Sequence, residues 1–255
     1  MHELIRQAFD LNGRVAIVSG GTRGLGNAAA EWLSAAGATV AVAGRSRAVA
    51  TEAARALPSP AVGFECDVAE EWAVNALVDS VLDEFDRIDI LVNSAGVNLR
   101  GSATTMPLAE FEEVQRVNTA GTWLMCREVA GHMIDEGRGG RIINFASMLS
   151  EVGMAGRSSY SASKGAVMGM TRSLALEWAP HGITVNAVIP GPFATDMNAA
   201  VIEDRAVHDE FVATIPLGRF GDPSELGPLV LFLASDASSF ATGAGFAVDG
   251  GWTAQ

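Results

Sequence analysis

The sequence RVAIVSGGTRGLG, residues 14–26, joins a short apolar run to a glycine-rich turn. Its first six residues are rich in β-branched side chains, which is typical of a strand buried on both faces. A helical pattern follows over residues 27–36, so free N–H groups and the positive end of a helix dipole face the turn. Gly20 permits the tight turn, Gly24 lets a phosphate approach the backbone, and Gly26 lets the helix pack on the strand. The stretch therefore predicts an anion-binding turn at the start of an α/β fold.

The same alternation continues along the chain. Further strands are predicted at residues 39–43, 61–66, 88–92, 141–146, 183–189 and 245–251. Helices are predicted at residues 70–85, 108–135, 158–179 and 224–234. Strands that alternate with helices form parallel units, so we expect an α/β, doubly wound parallel sheet of about seven strands. We expect one domain over residues 1–255, with the polar helical segment 196–214 as a lid over the substrate.

The net charge and the cysteine and histidine content argue against several classes of partner and binding site. The 255 residues carry a net charge of −13, which argues against nucleic acid and against anionic membrane surfaces as partners. Cys66 and Cys126 lie in apolar patterns and are predicted to be buried, reduced thiols. The four histidines lack metal-ligand spacing, so we expect no metal site. Without a signal-peptide core or an apolar run of membrane-spanning length, the sequence predicts a soluble, cytoplasmic protein.

The candidate chemistry lies in a second stretch, residues 147–164. Tyr160 and Lys164 are four residues apart, so on a helix they share one face. An ammonium group near a phenol favours the phenolate and lowers a pKa of about 10, which makes a usable general acid or base. Ser147 supplies a hydroxyl that a loop can bring opposite Tyr160, where it can hold a substrate oxygen. A surface pair on an amphipathic helix is the alternative reading of Tyr160 and Lys164.

The spacing G-x-x-x-G-x-G, together with Tyr-x-x-x-Lys and a serine thirteen residues before the tyrosine, resembles the short-chain dehydrogenase/reductase family. The resemblance extends over nearly the whole chain and implies a Rossmann-type fold. It implies reversible hydride transfer between a nicotinamide and a carbinol carbon, with Asn118, Ser147, Tyr160 and Lys164 as catalytic residues. Asn118 would anchor a water in a proton relay that passes through Lys164. A dinucleotide-binding sensor without chemistry is the alternative, and it has no need of all four residues.

The resemblance also implies the residues that bind the dinucleotide. Asp67 and Val68 match the adenine-binding pair, and residues 190–195 match the turn that holds the nicotinamide. Asn93-Ser94-Ala95-Gly96 departs from the family's Asn-Asn-Ala-Gly only at Ser94, and this motif is also expected to brace the sheet. The implied cofactor-binding residues are Gly20, Thr22, Arg23, Gly24, Leu25, Gly26, Arg45, Ser46, Asp67, Val68, Asn93, Ala95, Gly96, Tyr160, Lys164, Pro190, Gly191, Phe193 and Thr195.

The residues that follow the second predicted strand indicate whether NAD or NADP is the preferred dinucleotide. Gly44 stands where NAD-preferring relatives carry an acidic residue that binds the ribose hydroxyls. Arg45 and Arg23 supply guanidinium groups that suit a 2′-phosphate. We therefore predict a preference for NADP(H), with NAD(H) possible, while solvated loop arginines remain the alternative.

Two charged residues near the predicted site indicate the substrate. Arg100 could pair with a carboxylate, and Glu151 could accept hydrogen bonds from substrate hydroxyls, so with Ser147 and Tyr160 they are the predicted substrate-binding residues. The run 147–151, Arg100 and the segment 195–197 resemble the gluconate 5-dehydrogenase branch, which implies a sugar acid or polyol. A 3-oxoacyl thioester reductase is the runner-up, and solvated loop charges are the alternative for both residues.

The assembly is predicted from the same family resemblance. In the family, the helices that begin near residues 108 and 158 pair across a two-fold axis, and the C-terminal segment forms a second interface. We therefore expect a homotetramer, with a dimer as the alternative. The small residues that would allow close helix packing are Ala162, Gly165, Ala166 and Gly169. Met168 and Met170 could fill the gaps between the helices.

Overall fold

The computed structural model describes residues 2–255, except for the side chain at position 200, and Met1 lies outside the described part. Seven strands form one parallel sheet in the order β3-β2-β1-β4-β5-β6-β7. The strands are β1 (Val15–Ser19), β2 (Thr39–Gly44), β3 (Ala61–Glu65), β4 (Ile90–Asn93), β5 (Gly140–Phe145), β6 (Ile183–Pro190) and β7 (Gly245–Val248). The predicted doubly wound sheet is confirmed, and every predicted strand is present with ends shifted by a few residues.

Ten α-helices are described. They are α1 (Glu3–Phe9), α2 (Gly24–Ala35), α3 (Arg47–Arg55), α4 (Glu71–Phe85), α5 (Leu108–Gln115), α6 (Gly121–Glu136), α7 (Ser158–Trp178), α8 (Ala199–Glu203), α9 (Arg205–Val212) and α10 (Gly227–Ala234). The sequence did not predict α1 and α3. The predicted helix over 224–234 is split, because a 3-10 turn, Pro223–Leu226, precedes α10.

Apolar side chains fill the space between the sheet and a helix layer on each face. On one face Leu77, Met125 and Met133 are buried among residues of α4, α6 and α7. On the other face Leu33 and Leu226 are buried among residues of α2, α3 and α10. Burying a side chain of this size contributes about 1.5–3 kcal/mol, so the two layers fix the strands and their ends.

The predicted helix over residues 108–135 contains a local change of pitch. Between α5 and α6, residues Arg116–Ala120 form a π-helical turn with Asn118 at its centre. Such a turn widens the helix and frees backbone groups from the usual ladder, and it occurs often at functional sites. Helices α5 and α6 are therefore continuous with each other through a turn that is π-helical instead of α-helical.

The order of the strands in the sheet determines where a ligand-binding crevice can form. Strand β1 lies between β2 and β4, so the connections on its two sides leave in opposite directions. The carboxyl ends of the strands then border a crevice, which is where ligands bind in open parallel sheets. No helix in the described part of the chain is both long enough and apolar enough to cross a membrane.

Candidate active site

A cleft of about 510 Å³ follows the carboxyl edge of the sheet. Most of the residues that the sequence assigned to the cofactor and to catalysis line it. They are Gly20, Thr22, Arg23, Gly24, Leu25, Gly26, Arg45, Asp67, Val68, Ala95, Gly96, Ser147, Tyr160, Lys164, Pro190, Gly191, Phe193 and Thr195. Five predicted site residues do not line it: Ser46, Asn93, Arg100, Asn118 and Glu151.

The glycine turn is shaped by contacts that only glycine allows. Gly20 has a φ of +67°, and a Cβ there would lie 2.7 Å from the Cα of Ala95 on the neighbouring loop. A Cβ on Gly26 would lie 2.4 Å from the carbonyl oxygen of Gly20. The turn, the start of α2 and the β4 loop are therefore packed backbone against backbone, which leaves an open cradle for a phosphate.

At the end of β2, the side chain of Thr22 packs against Gly44. A Cβ at Gly44 would lie 2.7 Å from the Cγ2 methyl of Thr22, so the threonine occupies the space of a side chain there. Arg45 is exposed at the edge of the cleft. Arg23 also lines the cleft, but its guanidinium pairs at 3.3 Å with Asp196, the first residue of the predicted lid.

Asn93 points into the protein instead of the cleft. Its amide donates to Oδ1 of Asn144 at 2.9 Å and to Sγ of Cys126 at 3.2 Å. This geometry fits the bracing role that the sequence analysis also considered. Burial raises the pKa of Cys126 to about 12, so the thiol stays protonated and inert.

Tyr160 and Lys164 lie on one face of α7, as their spacing predicts. The Lys164 Nζ lies 5.7 Å from the centre of the Tyr160 ring and donates to the carbonyl oxygen of Phe145 at 2.7 Å. Ser147 follows β5, and its Oγ accepts from the N–H of Leu149 at 3.1 Å. The three polar groups therefore converge on the cleft from β5 and α7.

Burial dominates the electrostatics of this group. Burial raises the pKa of Tyr160, while Ser147 and then the positive charge of Arg157 act in the opposite direction. Burial lowers the pKa of Lys164 to about 8, because the ammonium group has left water without gaining a carboxylate. The tyrosine is therefore held protonated in the free protein, next to a lysine that titrates near neutral pH.

Asn118 lies behind the cleft in the π-helical turn. Its Nδ2 donates to the carbonyl oxygen of Val97 at 2.9 Å and to the Ser163 hydroxyl at 3.0 Å. Its Oδ1 accepts from the N–H of Val97 at 2.8 Å and lies 3.2 Å from the Cβ position of Gly96. The side chain thus ties the β4 loop to α7 at the level of Lys164.

The turn after β6 closes the far end of the cleft. Pro190, Gly191, Phe193 and Thr195 line it, and the Cγ2 of Thr195 lies 3.6 Å from the Cβ position of Gly24. Helices α8 and α9 follow within the predicted lid. Phe211 of α9 packs against Phe220 and Trp252 with ring centres 5.5 and 5.2 Å apart, which anchors the lid at its base.

Two of the four predicted substrate residues, Arg100 and Glu151, do not line the cleft. Arg100 is exposed, and its Nη2 donates to the carbonyl oxygen of Met197, a residue that lines the cleft. Glu151 is exposed and follows the short 3-10 turn after Ser147. The sequence analysis missed Asn98, which lines the cleft, and Arg157, which donates a hydrogen bond to it.

The cleft fits a nicotinamide dinucleotide. It runs from Arg45 and Asp67 at one end, past the glycine cradle, to Tyr160 and Lys164 at the other. A Cβ atom on Gly20 or Gly26 would collide with the backbone of Ala95 or of Gly20, so the cradle requires glycine at both positions. Residues 2–255 contain no cluster of side chains that could hold a metal ion.

Comparisons with known proteins agree with this geometry. A family model described as Enoyl-(Acyl carrier protein) reductase matches residues 20–253. The Escherichia coli 2-dehydro-3-deoxy-D-gluconate 5-dehydrogenase is 40% identical over 253 residues, which cover 99% of this chain and 100% of that protein. The Aquifex aeolicus 3-oxoacyl-(acyl-carrier-protein) reductase is 41% identical over 245 residues, which cover 94% of this chain and 98% of that protein.

A solved structure is similar over the whole fold. The crystal structure of a gluconate 5-dehydrogenase from Burkholderia cenocepacia, in complex with NADP and tartrate, superposes with a TM-score of 0.93 and 36% identity. The match covers 98% of this chain and 99% of that chain.

Fold, site and relatives together define an NAD(P)-dependent oxidoreductase that acts on alcohol and ketone groups. The chain belongs to the short-chain dehydrogenase/reductase family.

Proposed function

We propose that this enzyme interconverts a secondary alcohol and a ketone on a sugar acid or a related polyol, with NADP(H) preferred over NAD(H). The relatives named for gluconate-type substrates support the proposal, because they match this chain over its full length. The observation that carries it is Arg100, whose guanidinium lies beside Met197 at the substrate end of the cleft and bonds only a neutral oxygen there.

The roles of the catalytic residues follow from their positions. When bound, the nicotinamide dinucleotide supplies the hydride exchange, and the protein handles the proton. In oxidation the Tyr160 oxygen accepts the proton of the substrate hydroxyl, and Ser147 holds the substrate oxygen in place. The ammonium group of Lys164 favours the phenolate form of Tyr160. Asn118 holds the β4 loop against α7, the helix that carries Lys164.

Steady-state kinetics with D-gluconate and 5-ketogluconate test the substrate class. We expect the wild-type enzyme to turn over one of the two, and Arg100→Ala to raise KM roughly 10-fold or more, since a charge-assisted hydrogen bond is lost. The matched control is Arg55→Ala, which removes an exposed cation at the end of α3. A wild-type enzyme that is inactive on both compounds would refute the sugar-acid assignment, and an unchanged KM would remove Arg100 from it.

The second candidate is reduction of a 3-oxoacyl thioester. The Aquifex aeolicus relative favours it, at an identity similar to that of the sugar-acid enzyme. An acyl carrier protein is acidic, however, and this chain carries a net charge of −13, so the two surfaces would repel each other. Turnover of a 3-oxoacyl thioester with a higher kcat/KM than any sugar acid would establish this second function instead.

The cofactor preference rests on Arg45 and on the glycine at position 44. We expect Arg45→Asp to weaken NADPH binding by roughly 10- to 100-fold, because a carboxylate repels the 2′-phosphate and a charge-assisted bond is lost. The same change should raise the relative use of NADH, since the new carboxylate can accept from the ribose hydroxyls. Kd values for both dinucleotides, measured by fluorescence, decide the point. A wild-type enzyme that prefers NADH several-fold would contradict the proposal.

We infer further that the chain forms a homotetramer. A groove of about 630 Å³ lies along α5, the π-helical turn and α7, and Trp123, Ala166 and Met170 line it. Trp123 is 44% exposed there, so the groove offers a large apolar side chain that a second copy of the chain would cover. Light scattering at micromolar concentration is expected to give four times the mass of the chain. A monomer would contradict the inference, and a dimer would limit it to one interface.

A further inference from the structure

Two arginines lie next to each other at the substrate end of the cleft. The loop after β4 and the segment before α7 are joined by a hydrogen bond from the N–H of Gly101 to the carbonyl oxygen of Gly156, at 3.1 Å. Arg100 precedes the first of these glycines and Arg157 follows the second. The backbone bond therefore fixes the two arginines as neighbours, although 56 residues separate them in the chain.

Both guanidinium groups bond residues of the cleft wall. Arg157 donates from Nη1 to Oδ1 of Asn98 at 3.1 Å, and Arg100 donates from Nη2 to the carbonyl oxygen of Met197 at 3.1 Å. Asn98 and Met197 both line the cleft. The two arginines thus contact the cleft through these two residues, and Arg157 is close enough to Tyr160 for its positive charge to oppose the rise that burial causes in the pKa of the phenol.

Neither arginine has a carboxylate partner within the part of the chain that the structure describes. Arg23, Arg116 and Arg219, in contrast, each pair with an acidic residue. The contrast matters because the chain has 30 acidic residues against 17 basic ones. In so acidic a protein, Arg100 and Arg157 are two neighbouring cations whose hydrogen-bond acceptors are both neutral.

The charges also influence each other. Burial, and then the positive charge of Arg100, lowers the pKa of Arg157. Two like charges without a counter-ion destabilise one another, and an anion placed between them removes that cost. A planar carboxylate matches the forked donors of a guanidinium group better than a neutral hydroxyl does.

We propose that Arg157 is a specificity-determining residue, which together with Arg100 binds the carboxylate of the substrate beside Tyr160. This inference rests on the proposed function, because it assigns the acid group of the proposed sugar acid to a particular place. On this assignment the enzyme binds an acid more tightly than the neutral polyol that differs from it only at the carboxyl carbon.

Binding of D-gluconate and of D-glucitol to the enzyme saturated with NADPH tests the proposal. Both ligands are already alcohols, so no turnover occurs with the reduced cofactor, and they differ only at the carboxyl carbon. Calorimetry is expected to show that wild type binds gluconate roughly 10- to 100-fold more tightly than glucitol. Arg157→Met should remove most of this difference and leave the affinity for glucitol within about threefold, because it takes away a charge-assisted bond that only the acid makes.

Two controls separate recognition from folding. Arg55→Met removes an exposed arginine of α3 and should leave both affinities unchanged. Arg157→Lys keeps the charge without the fork and should retain part of the preference for gluconate. Equal affinity of wild type for the two ligands would overturn the proposal without any variant, and so would an equal loss for both ligands in Arg157→Met. Tight gluconate binding without turnover of sugar acids would refute the proposed function but leave the carboxylate anchor standing.

Discussion

Tyr160→Phe is expected to lower kcat by about a thousandfold and to leave NADPH affinity nearly unchanged, since the variant removes only the group that exchanges the proton. The ring itself packs with Met148 and Leu149, and these contacts remain in the variant. Steady-state kinetics measure kcat, and the quenching of protein fluorescence by NADPH measures the affinity.

The neighbouring Ser161 supplies a matched control. Its buried hydroxyl has no hydrogen-bond partner in the described part of the chain, and Ser161 does not line the cleft. Ser161→Ala should therefore keep full activity, because it deletes a hydroxyl of the same helix that takes no part in the chemistry. A Tyr160→Phe enzyme with kcat within tenfold of wild type would remove the tyrosine from the mechanism.

Tyr160 is the single tyrosine of the chain, which gives direct access to its ionisation. The ultraviolet absorbance of the phenolate reports this one group alone. Because burial raises its pKa in the free protein, the phenol is protonated at neutral pH and is ready to donate. Oxidation, which needs the phenolate, is therefore favoured by rising pH, and reduction by falling pH.

The sequence predicted the parts of the fold that depend on local pattern. Apolar runs of four to eight residues mark the strands, and glycine or a polar residue follows most of them at the carboxyl end. Because the carboxyl ends of parallel strands lie at one edge of a sheet, Gly20, Asp67 and Ser147 could be assigned to one site from the sequence alone. The structure brings these three residues to the same cleft.

The sequence could not predict features that depend on contacts between distant segments. The π-helical turn at 116–120 keeps an ordinary helical pattern of side chains, so periodicity alone does not reveal it. Asn93 lies at a strand end like the cofactor residues, yet its amide turns inward because Asn144 and Cys126 offer partners there. Arg157 looks like a solvated loop residue until the bond between Gly101 and Gly156 places it beside Arg100.

Lys164→Met combines a loss of activity with a gain in stability. We expect kcat to fall by about 100-fold or more, because no ammonium group then favours the Tyr160 phenolate. The folded enzyme should become more stable near neutral pH, since the variant replaces a buried ammonium that has no carboxylate partner by an apolar chain of similar length. The carbonyl oxygen of Phe145 loses its donor, which offsets part of the gain.

The gain depends on pH in a defined direction. Burial lowers the pKa of Lys164 to about 8 from an ordinary value of 10.5, so the unfolded state binds the proton more tightly than the folded state does. The stability that wild type loses by burying this ammonium group is lost in full below about pH 8, and the loss disappears as the pH rises toward 10.5. Thermal unfolding should therefore show Lys164→Met melting several degrees above wild type at neutral pH, with a difference that shrinks in alkaline solution.

The ionisation itself can be observed, because Lys164 is the only lysine among the 255 residues. Protein labelled with isotopic lysine gives one set of side-chain resonances, and its titration reports this group directly. A midpoint near 8 in the free enzyme is expected because the ammonium group is desolvated. An ordinary midpoint near 10.5, together with equal melting temperatures for wild type and Lys164→Met at neutral pH, would show that the ammonium group carries no burial cost.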